Sequence, residues 1–396
     1  MKKRRRIGIL TGGGDVPGLN SVIKSVVYRG WENGVGVVGI RKGFEGLTHV
    51  DLDDPQSRAR YVVELNRENT RTIDRFGGTI LHSSRVGPTT VTRLPPHLEG
   101  KSFPAGQGRV GVSYDLTDQV LENLERLGID ALITIGGDGT LKSAAQLDRR
   151  GVKVMGIPKT MDNDVQGTEY CIGFSTAITR ATAAIDRQRT TIGSHERIGI
   201  FRVFGRDAGF TALYAAHVTS NRCVIPEYPV DLEKLIDLLL TEKAGNPSNY
   251  VLVILSEGAT WKGYEVQEFG RPDALGRRKK ASVAEVLADE IHIRTAEETI
   301  VSDLTYDLRS GDPDFIDKLV ASTFGTLALD AILDGVHGQM CAIVDGCYDM
   351  VPIPDPAKGP RRVDVSTMYN VDRYRPLYGN KRHWPIFLTR VGPPAG

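Results

Sequence analysis

Cysteine is scarce in these 396 residues: Cys171, Cys223, Cys341 and Cys347, with no C-x-x-C pair. That spacing excludes a thiolate zinc site and a disulfide scaffold, and reads as ordinary thiols in a reducing cytoplasm. Long apolar runs are missing too. Nothing approaches the roughly 18 residues of a membrane span, and no signal-like apolar segment follows the basic residues 2–6. A cytoplasmic location is expected, without a membrane partner. Charge of one sign is also lacking, since 50 Lys and Arg face 49 Asp and Glu for a net charge of +1. No global field therefore draws nucleic acid, and residues 2–6 read as a solvated start. With 40% hydrophobic residues, the chain can bury sizeable cores, and its length suggests two to three domains.

What is present is glycine and carboxylate at the ends of apolar runs. Residues 152–157 read as a buried strand, closed by Pro158, which has no N–H to donate. Lys159-Thr160-Met161-Asp162-Asn163-Asp164 follows, a density of polar chemistry suited to the C-terminal edge of an open α/β sheet. A carboxylate there can take a proton from a substrate hydroxyl and a neighbour can hold Mg²⁺, but an Asx-rich turn without chemistry has the same composition.

Two other stretches tip that balance. Strand 7–10 runs into Thr11-Gly12-Gly13-Gly14-Asp15-Val16-Pro17-Gly18-Leu19-Asn20 and then an amphipathic helix over 21–31. Strand, glycine loop and helix in that order make a phosphate cradle, though this one is neither G-x-G-x-x-G nor a Walker A loop. Strand 131–135 runs into Gly136-Gly137-Asp138-Gly139-Thr140 and a helix over 141–150. Three glycines around one aspartate admit a polyphosphate while the carboxylate holds Mg²⁺.

Further along, a helix is expected over 174–190 and a strand over 198–204, with Arg197 before it and Gly205-Arg206 after it. Arginines at both ends suit a second anion such as a sugar phosphate, while His195 reads as a satisfied turn histidine. Strand 250–255 ends in Ser256-Glu257-Gly258, where a glutamate could accept hydrogen bonds from sugar hydroxyls. Helices are expected over 210–217, 232–240, 282–292 and 315–333, and a strand over 339–344. Residues 43–47 read as a turn, 86–112 as an insertion or mobile lid, and 261–280 as a hairpin or loop. The tail from Pro354 reads as irregular, packing on the body or on a neighbour.

The three motifs in this order, with Gly205-Arg206 and Tyr306 to Arg309, resemble the phosphofructokinase family over roughly residues 7–351. The resemblance implies an α/β fold of two Rossmann-like three-layer domains with the active site in the cleft between them. It places a donor domain at 1–173 plus about 308–357, a sugar-phosphate domain at 174–307, and a tail at 358–396. Gly13 matches the first glycine of the donor-phosphate loop, and Arg85 an arginine bridging donor and transferred phosphate. Gly137, Asp138, Gly139 and Thr140 match the nucleotide loop, with Asp138 as the Mg²⁺ carboxylate. Asp162 matches the general base, flanked by Thr160, Met161 and Asp164, with Lys159 before them. Phe204, Gly205 and Arg206 match a Met-Gly-Arg sugar-phosphate motif, Glu257 a sugar-hydroxyl ligand, and Tyr306 and Arg309 the 6-phosphate site. Arg197 matches an arginine that reaches a neighbouring subunit's site, which implies a homodimer or homotetramer. A second such arginine would fall near Ile300, where Arg294 is the nearest candidate. Glu227 lies where some relatives bind an effector nucleotide.

The implied reaction is phosphorylation of fructose 6-phosphate at its 1-hydroxyl, with ATP or pyrophosphate as donor. Pyrophosphate users of the family tend to carry aspartate at position 139 with lysine at 159. Gly139 leaves room for the ATP α-phosphate, whereas the Lys159 ammonium suits a pyrophosphate oxygen. Steric permission outweighs added charge, so ATP is expected. A kinase of the NAD or lipid type shares the Gly-Gly-Asp-Gly-Thr loop but lacks the other two motifs. A nucleotide-sensing module has no need of both Asp138 and Asp162, and a dehydrogenase lacks its dinucleotide fingerprint.

Overall fold

Alternation along the strands builds the first half of the molecule. In β1 (Arg6–Thr11), Ile7 and Ile9 point to one face and Leu10 to the other. The computed structural model describes residues 5–108, 112–264, 268–271, 279–280, 282–355, 358–379 and 381–387. The other strands are β2 (Gly36–Ile40), β3 (Val62–Leu65), β4 (Ala131–Gly136), β5 (Val154–Pro158), β6 (Ile198–Val203), β7 (Arg222–Val224), β8 (Val251–Ser256), β9 (Glu268–Phe269), β10 (Lys279–Lys280), β11 (Thr299–Asp303), β12 (Gln339–Val344), β13 (Cys347–Pro352), β14 (Tyr369–Asn370) and β15 (Arg375–Pro376).

Seven strands form one sheet in the order β13-β12-β5-β4-β1-β2-β3, parallel except for the antiparallel edges β3 and β13. Helices Leu19–Glu32 and Phe315–Leu333 cover the face carrying Ile7, Ile9, Ile133 and Ile135. Helices Phe44–His49, Thr117–Leu127 and Asp138–Arg149 cover the face carrying Leu10, Val38 and Leu132. The result is a three-layer α/β unit, and the chain order reverses between β1 and β4, where such sheets open a crevice at their C-terminal ends. A second, all-parallel sheet has the order β11-β6-β8-β7. One continuous hydrophobic cluster, passing through Phe174, Ala177 and Ile178, joins the two.

The junction turns on a buried carboxylate. Asp317, in the first turn of Phe315–Leu333, accepts the Tyr170 hydroxyl (2.6 Å), the Gly173 N–H (2.7 Å), the Thr176 N–H (2.8 Å) and the Thr176 hydroxyl (2.5 Å). Gly173 is the N-cap of helix Phe174–Ser194 and has φ 101°, so no side chain caps that helix from its own N-cap. Asp317 satisfies those N–H groups from the neighbouring helix and sits where the helix dipole favours an anion. Burial nevertheless pushes its carboxyl up to about 6.

Several elements differ from the sequence expectation. Residues 43–47 enter the helix Phe44–His49, because Gly43 at φ 60° starts it without a capping side chain. The helix expected from residue 141 begins at Asp138, so Asp138, Gly139 and Thr140 form its first turn. Within the described part of 86–112, Val91 and Leu98 pack with Leu116 into a small cluster, an ordered insertion. The tail is not merely irregular: it holds helix Val365–Met368 and the β14–β15 ribbon, with Tyr369 and Tyr374 buried. Residues 261–280 contain the β9–β10 ribbon, and their remaining loop lies partly outside the described residues. Among the described residues, no helix is long and apolar enough to cross a membrane.

Asp317→Ala orphans the Tyr170 hydroxyl and two helix N–H groups, and should cost about 3 kcal/mol or more of stability. A urea titration reads this as a lowered midpoint. An unchanged midpoint contradicts the capping role.

Candidate active site

The two glycine loops meet at Thr140. A Cβ on Gly12 would lie 2.4 Å from the Thr140 hydroxyl, and one on Gly136 would lie 2.3 Å from the Thr140 Cβ. Thr140 therefore occupies space that two absent side chains leave, and locks the β1 and β4 loops edge to edge. Gly13 has φ 80° and donates its N–H to Ser84 O (2.8 Å), while the Ser83 hydroxyl reaches Gly13 O (2.5 Å). Gly13 thus shapes the loop, and its N–H is already engaged. The neighbouring Arg85 is exposed and close enough to act electrostatically on Lys159. Gly137 is the N-cap of helix Asp138–Arg149, and a Cβ on exposed Gly139 would meet nothing within 4 Å.

From β5 the chain crosses under these loops. Lys159 donates its N–H to Gly136 O (3.1 Å) and its ammonium to Gly14 O. It is 4% exposed, and burial, then Arg309 and Arg85, lower its pKa to about 8 against the pull of Asp15 and Asp164. Thr160 accepts the Asp162 N–H (3.1 Å) and hydrogen-bonds the Asp164 carboxylate, so one hydroxyl braces both acids. The Met161 side chain is in the core at 3% exposure, and its carbonyl accepts the Thr211 hydroxyl (2.9 Å), so it steadies the turn instead of lining the site. Asn163, at φ 53°, is pinned by Nδ2 to Glu169 O (2.9 Å) and by Oδ1 from Cys171 N–H (2.8 Å). Burial raises the Asp162 pKa well above the carboxylate norm; Asp164, Glu257 and Asp207 add to the rise and Arg309 opposes it.

The second sheet supplies the opposing wall. Gly205 has φ 126°, and a Cβ there would meet Ala208 O at 2.6 Å; one on Gly258 would meet Arg206 O at 1.9 Å. Backbone crossing this close brings Arg206 and Glu257 together, Nη2 to Oε1 at 3.3 Å. Phe204 and Tyr306 meet edge to face at 6.4 Å, and the Arg309 guanidinium lies 4.9 Å from the Phe204 ring centre. A Cβ on Gly14 would be 3.1 Å from that guanidinium, so Arg309 stands between the donor loop and the second sheet. Its Nε is buried without a hydrogen-bond partner.

Arg197 is not in this cluster. It precedes β6, at the opposite end of that strand from Arg206, and pairs with Glu298. Arg294, on helix Val283–Thr295, is held by Glu290 of the same helix and by Glu233 of helix Leu232–Gly245. Glu227 accepts the N–H groups of Gly209 (2.9 Å) and Val363 (2.8 Å), and His195 Nδ1 lies 2.9 Å from Thr191 O. Sequence reasoning passed over Asp15, Arg202, Asp207 and Arg361. Arg202 is partnered by Asp303 and lies 3.9 Å from Glu257, and only its place near the C-terminal end of β6 hinted at a role.

Among the described residues, no three His, Cys, Asp or Glu side chains gather as a metal cage. Asp138 lies half-buried at a helix N-terminus, facing a void of about 10 Å³ shared with Gln166 and Asp355. One carboxylate with room for a water fits Mg²⁺ completed by phosphate oxygens, as hard oxygen donors require.

Glycine loops, a buried lysine and an arginine converging on a carboxylate pair define an α/β phosphotransferase. A family model described as Phosphofructokinase matches residues 6–332. ATP-dependent 6-phosphofructokinase 3 of Streptomyces coelicolor is 35% identical over 353 residues, covering 88% of this chain and 94% of that protein. A pyrophosphate–fructose 6-phosphate 1-phosphotransferase of Amycolatopsis methanolica is 38% identical over 341 residues, covering 85% and 90%. The crystal structure of a pyrophosphate-dependent phosphofructokinase from Nitrosospira multiformis shares the fold, with TM-score 0.74 at 14% identity over 96% of this chain and 90% of that one. The chain belongs to the phosphofructokinase family.

The two shifted groups set a pH window. If Asp162 serves as a base it must be ionised, so its raised pKa predicts a loss of activity as pH falls through a value above the carboxylate norm. If Lys159 serves a phosphate it must be protonated, so a loss of activity is predicted as pH rises through about 8. The profile of kcat/KM should be a bell, and Lys159→Met should remove its alkaline limb. Retention of that limb in the variant excludes Lys159 as its origin.

Proposed function

We propose that the chain transfers the γ-phosphoryl group of ATP to the 1-hydroxyl of D-fructose 6-phosphate, giving fructose 1,6-bisphosphate and ADP. The observation that carries the donor choice is the open space around Gly139, which admits an α-phosphate and the nucleoside beyond it. Residues 1–173 with about 308–357 hold the donor, 174–307 hold the sugar phosphate, and 358–396 form the tail.

Asp162 takes the proton from the 1-hydroxyl. Its raised pKa favours that uptake, and Thr160 and Asn163 fix its direction. Arg309 and Tyr306, with Phe204, Gly205 and Arg206, hold the 6-phosphate, and Glu257 accepts sugar hydroxyls while paired to Arg206. Lys159 and Arg85 neutralise charge on the transferred group, since phosphoryl transfer is mainly positioning and electrostatics. Asp138 holds Mg²⁺, which supplies charge neutralisation at the phosphate oxygens. Arg197 serves a neighbouring copy in a homodimer or homotetramer in the cytoplasm, an arrangement supported by its place at the opposite end of β6 from Arg206 on its own chain.

A second reading, pyrophosphate as donor, is favoured by one observation. The buried Lys159 ammonium reaches the Gly14 carbonyl, deep in the donor loop, where a compact dianion would seat. Parallel assays of fructose 6-phosphate with ATP and with pyrophosphate decide between the two. Faster turnover with pyrophosphate overturns the ATP assignment.

Two substitutions test the residues. Asp162→Ser should lower turnover by at least about 100-fold with fructose 6-phosphate binding retained, and survival within tenfold contradicts the base assignment. Gly139→Asp meets no protein atom, so the fold should stand while activity with ATP falls far more than activity with pyrophosphate. Equal loss with both donors contradicts the steric argument.

A further inference from the structure

The tail lies outside the residues that the family model matches, yet one of its arginines is built into the catalytic turn. Arg361 is buried. Its Nη2 donates to Asn163 O (2.5 Å) and to Glu169 O (3.2 Å), and its own N–H donates to Asp164 O (2.6 Å). Its guanidinium stacks 4.4 Å from the ring centre of Phe210, which opens the helix after Arg206. One residue thus holds the carbonyls of both residues that follow Asp162.

That turn needs holding. Asn163 is left-handed at φ 53°, a conformation a non-glycine residue keeps only when its surroundings fix it. The tail is itself fixed two residues on, where Val363 N–H reaches Glu227, the carboxylate that also caps helix Phe210–Thr219 through Gly209. Catalytic turn, tail and second-sheet helix form one closed circuit of hydrogen bonds.

We infer that Arg361 is a positioning residue for phosphoryl transfer, aiming the Asp162 carboxylate through its guanidinium, which clamps the Asn163 and Glu169 carbonyls. The inference rests on the reading of Asp162 as the base. Because the clamp acts on the turn's backbone and touches no substrate group, its loss should appear in kcat rather than in KM.

Arg361→Met keeps the bulk and the backbone N–H on Asp164 O, and removes the guanidinium's bonds to the Asn163 and Glu169 carbonyls. We expect kcat to fall about 30-fold, the scale of a sub-ångström misplacement, with KM for both substrates within about threefold. Arg361→Lys keeps one cation but cannot serve two carbonyls, and should lose only about fivefold in kcat. Arg362→Met, the exposed neighbour of like charge, should match the parent. Parental kcat in Arg361→Met, or a rise in KM as large as the fall in kcat, overturns the inference. Should Arg361→Met fail to fold, Arg361→Lys decides alone: a lowered kcat at parental KM supports the clamp and a parental kcat overturns it. Asp162→Ser is assayed beside them. Surviving turnover there overturns the base assignment and the clamp with it, whereas an inactive Asp162→Ser beside a parental Arg361→Met overturns the clamp alone.

Discussion

The capping of one helix by a carboxylate from another is the interaction on which this site depends. Asp317 closes the N-terminus of Phe174–Ser194 and thereby fixes where the chain leaves the first sheet. The return segment 169–173 is bonded on one side to Asp317 and on the other to Asn163. If that anchor shifts, the turn carrying Asp162 shifts with it, and so does its distance to Glu257 and Arg206 across the cleft. Placing a carboxylate at buried N–H groups is costly in desolvation, as its elevated pKa records, and four hydrogen bonds offset that cost.

Asp162, Asp164, Asp207 and Glu257 influence one another around the turn, while Lys159 and Arg85 lie at the glycine loops and Arg309 stands between those loops and the second sheet.

The central strands and their glycine loops were legible because unbroken apolar runs ending in glycine have few other uses in an α/β chain. Helix Phe315–Leu333 was read with the bounds it has in the structure. Edge strands were not. β11 mixes threonine, serine and aspartate with two apolar residues, all of them partly exposed, and β13 is solvated along its length, so neither carries a burial signal. The glycine-loop side of the site could be read locally, since each loop is contiguous in sequence. Arg361 could not: it lies about 200 positions from the turn it holds, in a Pro-Arg-Arg stretch that looks like solvated charge. Asp317 was similarly hidden, because an acid in a helix's first turn usually serves its own helix.

The wedge of Thr140 against Gly12 and Gly136 leaves the β1 and β4 loops little freedom to be reshaped one at a time. At Gly139, one position away, a Cβ would meet nothing within 4 Å, and the residue is exposed. Variation in the donor pocket is therefore channelled to a spot where a side chain can be gained or shed without disturbing the core. Relatives named for different donors resemble this chain about equally, at 35% and 38% identity. A scaffold with one open position beside a rigid wedge can change a side chain there while its loops keep their shape.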